Sequence, residues 1–442
     1  MASQFQFPPM QEYMLENGMR VIILPDHEQE GMVVALQLPF GRFADPAGFE
    51  GCAEICVGLM QKGTETRTYE QFSETFENRG ATLFADLGEE HAMIGIKMLS
   101  RFKDELFPCF RDMLVAPRFD TRELFRLKQE MITALRAETV DPGTVANRHF
   151  YHELAGSSHP AGRHHSVQSI RKLRREHVVT FFREQVIPDG CTMVIAGDFS
   201  ESWFSRYARP AIEEWKNAAK RLMRVEAPPV AAARKAVRLV EKNDLTQVSL
   251  VIGQDAPGEL DPLRNQIALA NYIFGAGNFS SRLMTRIRSS AGRTYGIASH
   301  ITAERRFGAF TISTSTQNRQ LTEVVEAVLG EFRQFHDKGV TTEELENAKR
   351  FVIGNMAFQL EGITNLVEKL LWLYFYNRTT AYIERFEEMI SSITLESVNE
   401  AVAQRFDPER LIFIGVGRRT EIASQLAAFG PLQLYHFKDR LR

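Results

Sequence analysis

Residues 119–129 read FDTRELFRLKQ, and residues 340–350 read VTTEELENAKR. Thr121, Glu123, Leu124 and Lys128 meet Thr342, Glu344, Leu345 and Lys349 at one constant offset of 221 residues. Both stretches open a helix. Thr121 and Thr342 stand as N-caps, and an acid follows two residues on, where the helix dipole favours negative charge. A second pair keeps nearly the same spacing: PDGCTMVIAGD (188–198) and DPERLIFIGVG (407–417) each set a Pro-marked turn before an apolar strand that runs into Gly. Two matches at one spacing point to a duplicated unit of roughly 220 residues.

Strands and helices alternate inside each unit. GMRVIILPD (18–26) and MVVALQLPFG (32–41) read as strands, and 51–63 and 69–80 as helices, the second closed by Gly80. ATLFADLGEEHAMIGIKML (81–99) reads as a hairpin, and 102–114 and 121–139 as helices. The stretch from Ala137 to Gly162 is turn-rich, and helices around 167–184 lead to the closing strand. RVEAPPVAAARKA (224–236) is the best linker, with Pro-Pro and alanines lacking periodicity. The expected architecture is α+β, with two homologous halves, each an antiparallel sheet covered by helices. The halves would be 1–223 and 237–442, joined by the linker 224–236.

Several classes are excluded or disfavoured. The net charge of −3, from 53 basic and 56 acidic residues, offers no basic excess for nucleic acid. Apolar runs such as Val21–Leu24 are too short to span a bilayer, so no membrane partner is expected. MASQFQFPPMQEY has neither a basic n-region nor an apolar core, so a cytoplasmic location is expected, or a periplasmic one for a chain that has lost a leader. Cys52, Cys56, Cys109 and Cys191 form no disulfide framework or zinc ribbon; Cys52 and Cys56 read as small buried hydrophobes.

The run LPFGRFADPAGFEGCAEICVGLMQKGTETRTYEQF (38–72) resembles the opening of the pitrilysin family of zinc peptidases. VDPGTVANRHFYHELAGSSHPAG, SIRKLRREHVVTFFREQVIPDGCTMVIAGD and NYIFGAGNFSSRLMTRIRSSAGRTYGI read like that family's later blocks, so the resemblance covers nearly the whole chain. It implies the family's clamshell of two halves. It also implies an inverted zinc motif, H-x-x-E-H, in which two His on one helix face bind zinc and the Glu is the general base. Counting back from Lys62-Gly63-Thr64, those positions fall on Glu54, Val57 and Gly58. Glu54 can offer oxygen to a metal. Val57 accepts no proton, and Gly58 has no side chain. The third ligand's register falls near Thr133 and Ala134, with Glu130 and Glu138 about a turn away. A catalytic zinc needs three protein ligands and an open position, so no metal or other cofactor is expected in this chain.

His149, His152, Glu153, His159, His164 and His165 read as a polar surface loop, and Glu89, Glu90 and His91 as a solvated hairpin edge. Phe274-Gly275-Ala276-Gly277-Asn278 lacks the Gly-Lys-Ser/Thr of a phosphate loop and reads as a flexible turn.

What the resemblance keeps is in the second half. Arg288 and Tyr295 match the family's paired Arg and Tyr, which bind the substrate backbone and stabilise the oxyanion. The strand Ala81, Thr82, Leu83, Phe84, Ala85 matches the family's peptide-binding edge, to which substrate adds as an extended strand. The resemblance therefore implies the non-catalytic, substrate-binding subunit of a heterodimeric zinc peptidase. The zinc would sit in a paralogous partner, and Arg288 and Tyr295 would act in trans on a peptide substrate. The alternative is an inert peptide-binding or scaffold subunit like the family's respiratory-complex core proteins. A homodimer is possible where the partner is absent.

Overall fold

The structure, a computed structural model, describes residues 5–216, 227–289 and 296–439. The chain divides into two compact units. The first holds Met1–Thr133, His165–Val225 and Met356–Arg385; the second holds Ala134–His164, Glu226–Asn355 and Phe386–Arg442.

In the first unit a six-stranded sheet runs in the order β1-β2-β6-β3-β5-β4. The strands are β1 (Gln11–Met14), β2 (Arg20–Pro25), β3 (Gly31–Leu38), β4 (Thr82–Leu87), β5 (Ala92–Leu99) and β6 (Thr192–Gly197). In the second unit the order is β12-β7-β11-β8-β10-β9, built from β7 (Ala236–Glu241), β8 (Gln247–Asp255), β9 (Ile297–Ala303), β10 (Gly308–Gln317), β11 (Ile412–Gly417) and β12 (Leu432–His436). The duplication is visible strand by strand. Both sheets are mixed rather than purely antiparallel: β2 pairs parallel with β6, and β7 pairs parallel with both β11 and β12. The sixth strand breaks the symmetry, because the first sheet takes it from ahead of β2 and the second from the end of the chain.

The central strands RVIILP, GMVVALQL and TMVIAG are almost unbroken apolar runs. Such runs require cover on both faces of the sheet. Along the chain come α1 (Cys52–Met60), α2 (Tyr69–Glu77), α3 (Lys103–Val115), α4 (Thr121–Glu138), α5 (Pro142–Ala155), α6 (Val167–Lys172) and α7 (Arg175–Gln185). The second half supplies α8 (Leu321–Lys338), α9 (Thr342–Gln359) and α10 (Ile363–Phe375). One face of the first sheet, Ile22, Leu24, Val33, Ala35, Val194 and Ala196, is buried under Leu366, Val367, Leu370, Leu371 and Leu373 of α10. In the second unit α5 packs on β8 and β11, with Phe150 lying over Gly253.

α5 and α10 begin 221 residues apart, Pro142 against Ile363, so they are the equivalent helices of the two repeats. Each covers the sheet of the opposite repeat. The compact units therefore differ from the contiguous halves 1–223 and 237–442, because a sheet that is apolar on both faces is completed by an exchanged helix. The chain passes between units inside α4 and α9, at Thr133 and Asn355. Of the expected linker, residues 224–226 lie outside the described residues, and 227–235 form no helix or strand.

An arginine fastens each exchanged helix. Arg20 on β2 pairs with Glu12 at 2.8 Å and lies 4.8 Å from the ring of Tyr374 on α10, whose hydroxyl donates to Glu12 at 2.9 Å. In the second unit Arg238 on β7 pairs with Glu153 on α5 and lies 4.9 Å from the ring of Tyr435 on β12. The N-caps of α4 and α9 sit one residue before the expected threonines. Asp120 accepts from the Arg122 N–H at 2.7 Å, and Thr341 accepts from the Glu344 N–H at 3.3 Å while its own N–H donates to Glu344. Aspartate outcompetes Thr121 because it caps with a full charge.

Each unit needs chain from both sides of residues 227–235. Inserting a protease site between Pro229 and Val230 and cutting it is expected to leave two fragments that co-elute as one species in size-exclusion chromatography. They should part only in denaturant. Two stable fragments that elute separately would contradict the exchange.

Candidate functional site

The degenerate metal site is carried by α1, and the start of that helix is well defined. The Asp45 carboxylate is buried and accepts from the N–H groups of Gly51 and Ala53, each at 2.7 Å. Gly51 has φ +98°, and a Cβ there would lie 2.3 Å from the Ile170 Cδ1. Only glycine meets both demands. Cys52, Ala53, Ile55, Cys56, Val57, Leu59 and Met60 are buried, which leaves Glu54 and Gly58 on the remaining face. Their i, i+4 spacing is the one a metal-binding helix requires.

The side chains do not fit zinc. Glu54 supplies one carboxylate, Val57 supplies hydrocarbon, and at Gly58 the space is taken. A Cβ there would stand 2.7 Å from Leu127 Cδ2 of α4. Thr133 turns its hydroxyl to the Gln129 carbonyl at 2.9 Å, Glu130 is exposed, and Glu138 is paired with Arg148 at 2.7 Å. Among the described residues no group of three or more His, Cys, Asp or Glu is arranged to hold a metal ion.

Instead, Glu54 faces a carboxylate. Glu89, at the β4–β5 turn, has its pKa raised by burial; Arg42, 3.5 Å away, opposes that rise, and Glu54 adds to it. The neighbouring Glu90 is only 1% exposed. Of the hairpin edge expected to be solvated, Glu90 alone is buried; the Glu89 side chain remains 39% exposed, and His91 is half-buried against the ring of Phe375 at 4.5 Å. Burial pushes the Cys52 thiol up to about 12 and Cys56 well above its ordinary value, so both are inert protonated thiols.

The edge strand β4 lies beside α1 and, among the described residues, pairs only with β5. Ala81 just precedes it and is buried, Thr82 and Ala85 are exposed, and Leu83 and Phe84 are half-buried. Phe84 lies across Gly95, where any side chain would collide with its ring. Of the expected Arg–Tyr pair, Arg288 falls in the π-helical turn Met284–Ser289, but its side chain lies outside what is described, as does all of Tyr295.

Two further expectations are corrected. His149, His152 and Glu153 are not on a surface loop but on α5. Asp141 caps that helix through the Thr144 N–H at 2.7 Å, and Pro142 stands at its first position. The Asp-Pro pair was the available signal. His149 is 3% exposed, and burial, with Arg238 adding to it, pulls its pKa down to about 3. The Gly-rich turn is close-packed rather than flexible, since a Cβ at Gly275 would lie 2.4 Å from the Ser299 hydroxyl.

The chain belongs to the M16 peptidase family. Residues 20–155 match the family described as Insulinase (Peptidase family M16), and residues 172–352 match the one described as Peptidase M16 inactive domain. It is similar to the non-peptidase homolog YmxG of Helicobacter pylori, 22% identical over 84% of this chain and 85% of that one. It is also similar to the mouse mitochondrial-processing peptidase subunit beta, 22% identical over 88% of this chain and 81% of that one. Among solved structures, the peptidase M16 inactive domain from Pseudomonas fluorescens superposes with a TM-score of 0.84 at 22% identity, covering 93% of this chain and 98% of that one. Within the family, this chain is a non-catalytic relative. Among the described residues no helix is long and apolar enough to cross a membrane.

Two outcomes follow from this geometry. Gly58→His is expected to lower stability in urea titration by about 1–3 kcal/mol through overpacking, and Leu127→Ala should relieve part of that loss. The triple variant Glu54→His, Val57→Glu, Gly58→His should still bind less than one zinc per chain by elemental analysis. Separately, His149 titrates near 6.5 unfolded and about 3 folded. Between those values the unfolded chain binds the extra proton, so stability is intact above the upper pKa and falls as the pH drops. The slope from this group is at most about 1.4 kcal/mol per pH unit. His149→Phe should flatten the decline in melting temperature between neutral and mildly acid pH; an unchanged decline would contradict it.

Proposed function

We propose that this protein is the substrate-binding, non-catalytic subunit of a heterodimeric zinc peptidase. The carrying observation is the contrast between its two motifs. Val57 and Gly58 stand where the general base and a ligand belong, with Leu127 occupying the ligand's space, while the sequence keeps Arg288 and Tyr295. The zinc belongs to a paralogous partner chain, and this chain carries no metal of its own. An extended peptide adds to the free edge of β4, where the exposed Thr82 and Ala85 leave room for its backbone. Arg288 and Tyr295 then act in trans, donating to the peptide carbonyl as negative charge develops on it at the partner's zinc. The other subunit supplies the metal-bound water and the base.

A second reading, an inert peptide-binding or scaffold subunit, is favoured by the likeness to a relative named as a non-peptidase homolog. The test separates them. Mixed with a zinc-bearing M16 paralogue, the wild-type chain is expected to raise peptide turnover. Arg288→Ala should lower kcat on the order of a hundredfold, as loss of an oxyanion donor does elsewhere, with co-elution of the two chains unchanged. Unaltered turnover with intact assembly would leave the scaffold.

A further inference from the structure

The chain is acidic overall, yet one surface of the first unit is strongly basic. It is built where two helices begin side by side. Arg175, the first residue of α7, donates its Nε to the Phe119 carbonyl at 2.8 Å, just ahead of α4. Lys128 of α4 donates to the carbonyls of Arg171 and Leu173 at 3.0 and 2.6 Å, which clamps the α6–α7 corner along the flank of α4. The corner reads RKLRR, and Arg171, Lys172, Arg174 and Arg175 are all exposed. Across α4 stand Arg122 and Arg126, also exposed.

Phe125 lies in the middle of this surface, 64% exposed. Successive helix residues turn by about 100°, so Lys128 and Arg122, three residues to either side, flank Phe125 at roughly 60° each. The order across the surface is therefore the basic corner, Lys128, the aromatic ring, then Arg122. Acidic compensation is incomplete. Glu123 pairs with Arg126 at 3.1 Å, Glu176 lies 3.6 Å from Arg174, and Glu70 faces Arg122 and Arg126. Arg171 and Lys172 form no ion pair among the described residues.

The placement also runs against local preference. Cations are unfavourable at a helix N-terminus, where the dipole is positive. Arg174 and Arg175 open α7, and Arg122 sits in the first turn of α4. Asp120 and Glu123 at the start of α4 and Glu176 at the start of α7 offset this only in part, and the cations left over, Arg171 and Lys172 among them, mark a surface kept for another purpose. Two helix N-termini and their arginines add their potentials at one place, and carboxylates match that potential.

We propose that this surface docks an acidic peptide segment of a protein partner, its carboxylates on Arg122, Lys172 and Arg174 and an apolar side chain on Phe125. Nucleic acid fits less well, since strand binding uses a series of stacking rings and this surface offers one. An anionic membrane fits less well too, since no broad apolar helix face accompanies the charges. The inference stands independently of any peptidase partner.

Fluorescence anisotropy of the full chain with a labelled Glu- and Asp-rich peptide carrying one Leu tests it. Poly-U RNA and phosphatidylserine vesicles serve as competing probes. Wild type is expected to bind the peptide, more weakly as salt rises. The variant R122E/K172E/R174E should bind on the order of tenfold more weakly or worse. Its melting temperature is measured alongside, so that loss of binding is separated from loss of fold. Phe125→Ala should weaken binding while leaving the salt dependence in place. Equal peptide binding by wild type and the triple variant overturns the proposal, as does a patch-dependent affinity for RNA or vesicles above that for the peptide.

Discussion

The structure depends on burying both faces of two sheets whose central strands are apolar on each side. Neither sheet can be left with one face in water when strands such as Val33–Leu38 are buried without a break. Five Leu and Val residues of α10 cover one face of the first sheet, and α5 does the same for the second. Fully burying each such side chain is worth about 1.5–3 kcal/mol, several times what any surface ion pair here can add. The arginines at 20 and 238 therefore act mainly on register. Each is held by a carboxylate and an aromatic ring, so each fixes where its helix lies on the sheet.

That arrangement explains why a chain can lose its chemistry and keep its fold. α1 is held by the Asp45 cap and by seven buried side chains, five of them hydrocarbon or thioether and two of them protonated thiols. The two positions that face away from that core, Glu54 and Gly58, are the ones the packing does not need. At Gly58 the Leu127 side chain of α4 stands where a Cβ would lie. The consequence is asymmetric. The fold holds α1 without any ligand at 54, 57 or 58, whereas rebuilding the site means moving the half-buried Leu127 side chain aside.

Much of the fold was legible in the sequence. The constant offset between FDTRELFRLKQ and VTTEELENAKR located α4 and α9 correctly to within one capping residue. The strand runs and the repeat could be read because hydrophobic period and spacing are local. The exchange could not. Which sheet α5 covers is decided by contacts distant in sequence, and the apolar faces of α5 and α10 suit either sheet. The same limit explains the histidines. A segment rich in His, Gly and Pro reads as a surface loop, although Asp141-Pro142 announces a helix, because burial of His149 depends on β7 and β12. The degenerate site was legible in identity, through Glu54, Val57 and Gly58, but not in volume, since Leu127 lies 69 residues further along the chain.

Glu54 and Glu89 stand close enough to repel, yet they explain themselves: Arg42 pairs with Glu89 and offsets that repulsion. Such a cluster needs no ligand to account for it. The basic corner of α6 and α7 is different in kind. Its charges oppose the dipoles of the helices that carry them, stand around an exposed ring, and sit on a chain whose net charge is −3. Packing alone does not account for that arrangement, since the acids at those helix starts, Asp120, Glu123 and Glu176, are outnumbered by the cations around them. A surface that stays unfavourable for its own fold is better understood from what binds to it than from what lies beneath it.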